Sequence, residues 1–307
     1  MSEAFTPRYV CVGSIFIDDI VFPDGRTKMA VLGGAGTHAA AGVAVWGERP
    51  GLIANAGTGM PESALQQLQR DFDLAGVQQI DVPQGRAWQI FEWDNRRTEI
   101  FRTENMAPFA FFPDPERIPE EYTHPEAATV LRGAVGARKW RAFYRDIIML
   151  WEPDSLYMDA ANLPEYRETL TLPEIISPNL IESQRIYGID DAQTILRQMI
   201  DDGAHIVALR MGEQGSLVAA EGKTGMIHIP PVPVPEIIDQ TGAGNCYCGG
   251  FVVGWNRTRD LKLAGCYGAA AASFALETFG LANSAGADIS EVREARLQWA
   301  IDHAQMV

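Results

Sequence analysis

The chain is poor in cysteine and in positive charge, and it holds no long apolar run. Its four cysteines, Cys11, Cys246, Cys248 and Cys266, include no CxxC pair and are too few for a secreted disulfide framework. Cys246 and Cys248 form a CxC that has the shape of a metal pair, though small packing residues on an early helical turn give the same pattern. Lys and Arg number 25 against 40 Asp and Glu, a formal net charge of −15. Such a surface repels phosphate backbones and anionic lipid, which predicts neither a nucleic-acid nor a membrane partner. A phosphorylated small molecule stays open, because a pocket can carry a field opposite to the global one. The longest small-apolar stretch, residues 264–276, is interrupted by Gly268 and Ser273 and is too short to span a bilayer. The opening MSEAFTPRYV lacks the basic and apolar regions of a signal peptide, so a cytoplasmic protein is expected. The Gly-Lys-Thr at Gly222-Lys223-Thr224 has Leu217 where a Walker A loop needs its first glycine, which removes that loop, and there is no internal repeat or low-complexity tract.

What is present is the composition of an ordinary globule, 47% hydrophobic and 21% charged over 307 residues. Strands alternate with helices, predicting an α/β protein with a mostly parallel sheet covered on both faces. The pattern gives strands at 9–12, 29–32, 51–54, 147–151, 174–177 and 206–210. It gives helices at 36–46, 62–72, 125–138, from 179, at 192–201, and near 243–255, 260–278 and 289–304. Two runs rich in Trp, Ile, Phe and Thr, 86–93 and 98–102, flank the polar turn Asp94-Asn95-Arg96-Arg97 and read as a β-hairpin outside that rhythm. Residues 104–123 read as a crossing loop, so 1–307 is expected to be one domain.

Two glycine-rich segments carry the chemistry. In Ile238-Asp239-Gln240-Thr241-Gly242-Ala243-Gly244-Asn245, a Gly-Ala-Gly turn opens a small-residue helix. Such a turn leaves several N–H groups unblocked at the positive end of the helix dipole, a site for phosphate or a developing oxyanion, or simply a tight turn with close packing. In Val31-Leu32-Gly33-Gly34-Ala35-Gly36-Thr37-His38-Ala39, the spacing Gly34-x-Gly36-x-x-Ala39 matches the dinucleotide fingerprint in form. That fingerprint needs an acidic residue closing the next strand, and here the strand ends Ile53-Ala54-Asn55-Ala56-Gly57. An NAD-dependent enzyme is therefore set aside.

Taken in order, these segments resemble the signature regions of the PfkB (ribokinase-like) carbohydrate kinases over nearly the whole chain. The resemblance implies a three-layer α/β/α fold with a small β lid, formed by about 15–32 and 84–115. Gly13 to Asp18 looks like the family's first strand, ending in an Asp that binds sugar hydroxyls. Gly33-Gly34 is similar to the sugar-binding di-glycine, with His38 where the family has an Asn touching substrate. Asn179-Leu180-Ile181-Glu182 is similar to the NxxE motif that places Mg²⁺ and phosphate through ordered water. Arg210 to Gly215, with Gly212 between, resembles the nucleotide-binding TLGxxG turn. Asp239 to Asn245 resembles DTxGAGD, with Thr241 on the nucleotide side and Asp239 joining Glu182 at the metal. ATP and Mg²⁺ are the implied cofactors and a sugar-like small molecule the implied partner. The lid aromatics Trp88, Phe91 and Trp93 suit a substrate mouth, a packed hairpin face or a homodimer contact equally.

The departures are as informative as the matches. Asn245 stands where the family has the Asp that takes the proton from the attacking hydroxyl. An amide has no useful basicity, and losing general-base catalysis typically costs ~10²–10⁴ in rate. Natural divergence is the expected reason, because VLGGAGT, Leu150-Trp151-Glu152-Pro153 and Ser177-Pro178-Asn179 resemble a branch that includes fungal maintenance-of-killer-type proteins. Phe16 and His38 replace polar ribose-binding positions and Arg210 replaces a Thr, pointing to an acceptor other than plain ribose, aromatic or anionic in part. The alternative is a silent member that binds nucleotide or sugar as sensor or scaffold. ATP turnover of the protein against Asn245→Asp separates these: a switch to rapid transfer would mark a kinase crippled at its base, and ATP stabilising the fold with no turnover by either form would favour the silent member.

Overall fold

The computed structural model describes residues 5–93, 96–102, 112–283 and 289–307. Its main sheet has ten strands. Residues Tyr9–Val12 form β1, Gly51–Thr58 β4, Val77–Pro83 β5, Ala127–Arg132 β8, Ile148–Pro153 β9, Ile175–Ile176 β10, Ile206–Arg210 β11, Ser216–Ala220 β12, Ile227–Ile229 β13 and Gln305–Met306 β14. They lie in the order β14-β13-β12-β11-β10-β9-β8-β1-β4-β5. From β11 to β5 every pairing is parallel, and β12 to β14 extend the sheet antiparallel. Phe16–Val21 (β2), Thr27–Gly33 (β3), Arg86–Phe91 (β6) and Arg97–Phe101 (β7) form a second sheet in the order β3-β2-β6-β7. The segments read as a lid thus meet in one small sheet. Of the polar turn joining its last two strands, Asp94 and Asn95 lie outside the described residues, as do residue 103 and residues 104–111 of the expected crossing loop.

The helices are α1 (Ala35–Ala44), α2 (Glu62–Asp71), α3 (Ala134–Phe143), α4 (Leu163–Leu170), α5 (Leu180–Tyr187), α6 (Ala192–Asp201), α7 (Ala243–Thr258), α8 (Leu261–Ala275) and α9 (Ile289–His303). Side chains alternate along each strand, so the main sheet supports a core on each face. Tyr9, Cys11, Leu150 and Ala208 point to the side packed with α1, α7 and α8. Val10, Val12, Trp151 and Leu209 point to the side packed with α3 to α6. The result is the three-layer α/β/α sandwich that the strand-helix rhythm predicts.

Several expectations need correction. The first strand ends at Val12, and Asp18 belongs to β2 of the small sheet. The helix expected over 125–138 is a buried strand, β8, followed by a helix that begins at Ala134. The alanines at 127 and 128 favour helix locally, but the strand pairs with β1 and β9 along its edges and buries a face in each core, and tertiary packing overrides the propensity. Strands β5, β12, β13 and β14 and helix α4 were not anticipated.

Two features set up the functional region. Because β1, β8, β9, β10 and β11 run parallel, their carboxyl ends open on one edge, where Glu152, Ser177 and Arg210 emerge, the usual binding edge of such sheets. Helices α1 and α7 also pack backbone against backbone: a Cβ on Gly42 would fall 2.0 Å from the Cys246 carbonyl oxygen, and one on Gly249 2.0 Å from that of Ala39. This approach brings the two helix N-termini, each preceded by glycine, side by side.

Candidate active site

One half of the site joins the small sheet to the starts of α1 and α7. Asp18 on β2 is 4% exposed, and its Oδ1 accepts a hydrogen bond from Gln89 Nε2 at 3.0 Å. Its Oδ2 fills the space over Gly33, where a Cβ would fall 1.9 Å away. Burial pushes its pKa up to about 7, against the hydrogen bond from Gln89. The neighbouring Asp19 has the opposite fate. It is fully buried and ion-paired to Arg86 at 2.7 Å and Arg102 at 2.9 Å, which outweigh burial and hold it below the usual carboxylate range. Asp19 thus ties the sheet together, while Asp18 is held by Gln89.

Helix α1 starts from Gly34, whose φ of 103° puts it in a conformation glycine alone adopts easily. On its first turn His38 is 2% exposed, with neither ring nitrogen partnered among the described residues. Burial lowers its pKa to about 4, so the imidazole is neutral at physiological pH. Gly242, with φ 75°, opens α7 directly against this ring. Just before it, Asp239 Oδ1 accepts from the Thr241 N–H at 2.9 Å, while Asp239 Oδ2 and Thr241 Oγ1 are buried without partners among the described residues. Arg97 on β7 is exposed, yet its charge acts on Asp18, His38 and Asp239 alike, so it overlooks the group.

The other half lies at the strand ends. Asn245 Nδ2 donates to both Glu152 oxygens at 2.9 Å. Glu152 is ion-paired with Arg210 at 2.7 Å, and the same Arg210 nitrogen donates to the Ser177 carbonyl at 2.9 Å. Its other terminal nitrogen occupies the space over Gly244, 2.3 Å from where a Cβ would stand. Burial works against this guanidinium's charge, but Glu152 and Glu182 more than offset it and hold the pKa above its ordinary value. Glu182, partly exposed on α5, is pushed up to about 7 by burial, with Arg210 pulling back and Glu152 adding repulsion. Asn179 caps α5, its Oδ1 accepting from the Ile181 N–H at 2.8 Å, and its backbone bridges to Arg210. Beyond Arg210 a tight turn runs from Gly212 to Gly215, both at positive φ, closed by the Met211 N–H donating to the Gly215 carbonyl at 2.8 Å.

Asp18, Gly33, Gly34, His38 and Gly242 therefore come together, as do Gly244, Asn245, Arg210, Asn179 and Glu182. Ala243 sits between the two sets on the first turn of α7. Phe16 begins β2, its ring edge-on to Phe101 at 5.5 Å. Glu182 and Asp239 fall in different halves, and the described residues hold no group of three or more His, Cys, Asp or Glu suited to a metal ion. Cys246 and Cys248 are buried free thiols, and burial pushes the Cys248 thiol up to about 12, which suits packing and not metal binding. Two surface depressions, of about 160 Å³ beside Phe22 and about 470 Å³ beside Arg141, share no residue with this site. Sequence reasoning missed Gln89, Arg97 and the role of Glu152. Glu152 alone carried a signal, as the one acid at the carboxyl end of the otherwise apolar run Ile147 to Trp151.

The glycine-started helices α1 and α7 thus meet beside Asp18 of the small sheet, in an α/β protein whose main sheet opens its carboxyl edge toward them. The chain belongs to the pfkB family of carbohydrate kinases, whose model matches residues 7–287. It is 29% identical to the cytidine kinase of Thermococcus kodakarensis, over 82% of this chain and 90% of that protein. It is 30% identical to the protein MAK32 of Saccharomyces cerevisiae, over 44% of this chain and 42% of that one. The nucleoside kinase of Methanocaldococcus jannaschii, described as an archaeal member of the ribokinase family, superposes with a TM-score of 0.72 at 20% identity, covering 96% of this chain and all of the other. The ribokinase-like fold expected from the sequence stands, and a maintenance-of-killer protein is among the relatives at partial coverage. No described helix is long and apolar enough to cross a membrane.

Proposed function

We propose that this protein is an ATP-dependent kinase that phosphorylates a hydroxyl of a nucleoside-like molecule. The observation that carries the reading is the joining of Asp18, Gly33 and His38 to the glycine start of α7, with buried polar atoms of His38, Asp239 and Thr241 unpartnered among the described residues. A buried, unsatisfied polar atom costs ~1–3 kcal/mol, so such a cluster suits a ligand that completes it. Asp18 accepts from acceptor hydroxyls, and His38, neutral and unpartnered, can donate or accept at the same molecule. Phe16 and Phe101 offer a ring edge and face suited to a base, in keeping with the cytidine and nucleoside kinases among its relatives. The small sheet serves as a lid over one domain, and Arg97 brings a positive charge to the mouth.

The amides of Gly242 to Gly244 and the buried Arg210 suit the transferred phosphoryl group, and the turn from Gly212 to Gly215 with Asn179 suits the nucleotide, while Thr241 stays with Asp239. Phosphoryl transfer rests mainly on positioning and charge stabilisation, which leaves a route to catalysis without a carboxylate at 245. Mg²⁺ fits at Glu182, whose carboxylate is raised by burial beside Glu152 and would be relieved by a cation. That one carboxylate accords with an ion held mostly by phosphate and water, and bound Mg²⁺ would neutralise phosphate charge. Asp239 falls to the acceptor side in this reading. Exposed Met29 and Ile100 on the small sheet support a second copy docking there.

The test is ATP turnover against a panel of nucleosides, modified sugars and ribose. A nucleoside preferred over ribose supports the reading, and ribose preferred over every other acceptor refutes the substrate class. ATP that stabilises the fold with no turnover on any acceptor would favour a sensor or scaffold.

A further inference from the structure

Asn245 is fixed by its neighbour. A carboxylate only accepts hydrogen bonds, so the amide edge 2.9 Å from both Glu152 oxygens must be the NH₂, and Asn245 Oδ1 is turned away from Glu152. Glu152 is itself 6% exposed, the last charged residue of β9, and bound to Arg210 from β11. Among the described residues, the other titratable groups coupled to this pair include Glu182 on α5 and Tyr247 and Cys248 on α7. One end of the site thus carries its carboxylate on β9, answered by an arginine that touches the glycine turn.

Resting on the kinase reading above, we propose that Glu152 is a positioning residue of the transfer step, and that it requires an amide at 245. Glu152 holds the Asn245 NH₂, so that Oδ1 accepts from the attacking hydroxyl and aims it. The hydroxyl oxygen then bonds to the γ-phosphorus as the bond from that phosphorus to the bridging oxygen breaks. ADP leaves with the bridging electrons, and the hydroxyl proton passes to an oxygen of the transferred phosphoryl group. A loose transition state asks for little base catalysis, so no group need remove the proton first. Asp at 245 would set two carboxylates oxygen to oxygen at about the present spacing, where both cannot stay ionised and in place. Installing the family's usual residue alone therefore damages the site, and Asn245 is matched to Glu152.

The test compares the full-length protein with E152Q, N245D and the double variant E152Q/N245D. Turnover is measured with ATP and the best acceptor of the panel, and thermal midpoints are measured without ligand. N245D is expected to lower kcat about tenfold or more with acceptor KM changed less than about threefold, and to lower the midpoint. E152Q lowers kcat by a similar factor, and E152Q/N245D recovers both kcat and midpoint relative to N245D. A rise in kcat for N245D overturns the proposal, as does a double variant no better than N245D in kcat. Should none of the four transfer phosphate, the kinase reading and the positioning role fall together. Strictly additive midpoints overturn the pairing on their own, whatever the activity.

Discussion

Gly33 lies directly beneath the Asp18 carboxylate, so that a Cβ on the glycine would stand 1.9 Å from Oδ2. The obstacle is a side-chain tip, which can swing away at the loss of its bond from Gln89. Gly33→Ala is therefore expected to cost modest stability, ~0.5–1.5 kcal/mol, while displacing the group that holds the acceptor. Acceptor KM should rise about tenfold or more with the nucleotide KM unchanged, since ~1.4 kcal/mol of lost binding is one decade.

Gly242 meets a different neighbour. A Cβ there would fall 2.1 Å from the buried His38 ring, and its φ of 75° is strained for any other residue. Gly242→Ala should destabilise by ~2–4 kcal/mol through overpacking and backbone strain together. His38→Ala combined with it should recover part of the loss in a denaturant midpoint, because the smaller side chain makes room.

Asp18 makes acceptor binding depend on pH. Its folded pKa of about 7 lies above the ordinary value of 3.8, so the apo protein is relatively favoured at low pH and loses that advantage as pH rises through about 7. An acceptor's hydroxyls donate to the carboxylate, so binding favours the ionised form. Acceptor affinity should fall as pH drops below about 7, with proton release on binding near that pH, measured by calorimetry in buffers of different ionisation heat. Asp18→Asn should flatten this dependence, raise the apo thermal midpoint at pH 8 and weaken acceptor binding.

Arg210 and Glu152 form a buried ion pair, and removing one partner of such a pair typically costs ~3–5 kcal/mol. Arg210→Ala should destabilise on that scale in urea melts and weaken nucleotide binding. Arg210→Met with Glu152→Met should recover much of the stability and none of the nucleotide affinity, separating the pair's role in folding from its role at the phosphate.

The sequence made the strand-helix alternation legible because apolar runs of strand length, such as 147–151 and 206–210, stand between segments of helical period. The glycine turns at 33–36 and 242–244 were legible because backbone chemistry needs those residues wherever they sit. What was hidden depends on partners distant in sequence. Ala127 to Arg132 is a strand only because β1 and β9 flank it. Asp18 looked like the end of the first strand until β2 paired with β3 and β6 instead. Glu152 and Asn245 are 93 residues apart, and nothing in either segment announces that one holds the other. That contact is the reason a loss of activity is expected of Asn245→Asp.

The central claim is that Asp18 holds a hydroxyl acceptor against the glycine start of α7 for phosphoryl transfer from ATP. Its most direct test is mass-spectrometric detection of the phosphorylated acceptor and ADP from cytidine and other nucleosides, for the wild type and Asp18→Asn. Equal amounts of the two products from the wild type are predicted, with kcat/KM reduced about a hundredfold or more in Asp18→Asn, a loss of ~2.7 kcal/mol of transition-state stabilisation. A phosphorylated product formed equally well by both proteins, or by neither with any nucleoside or sugar, would contradict it.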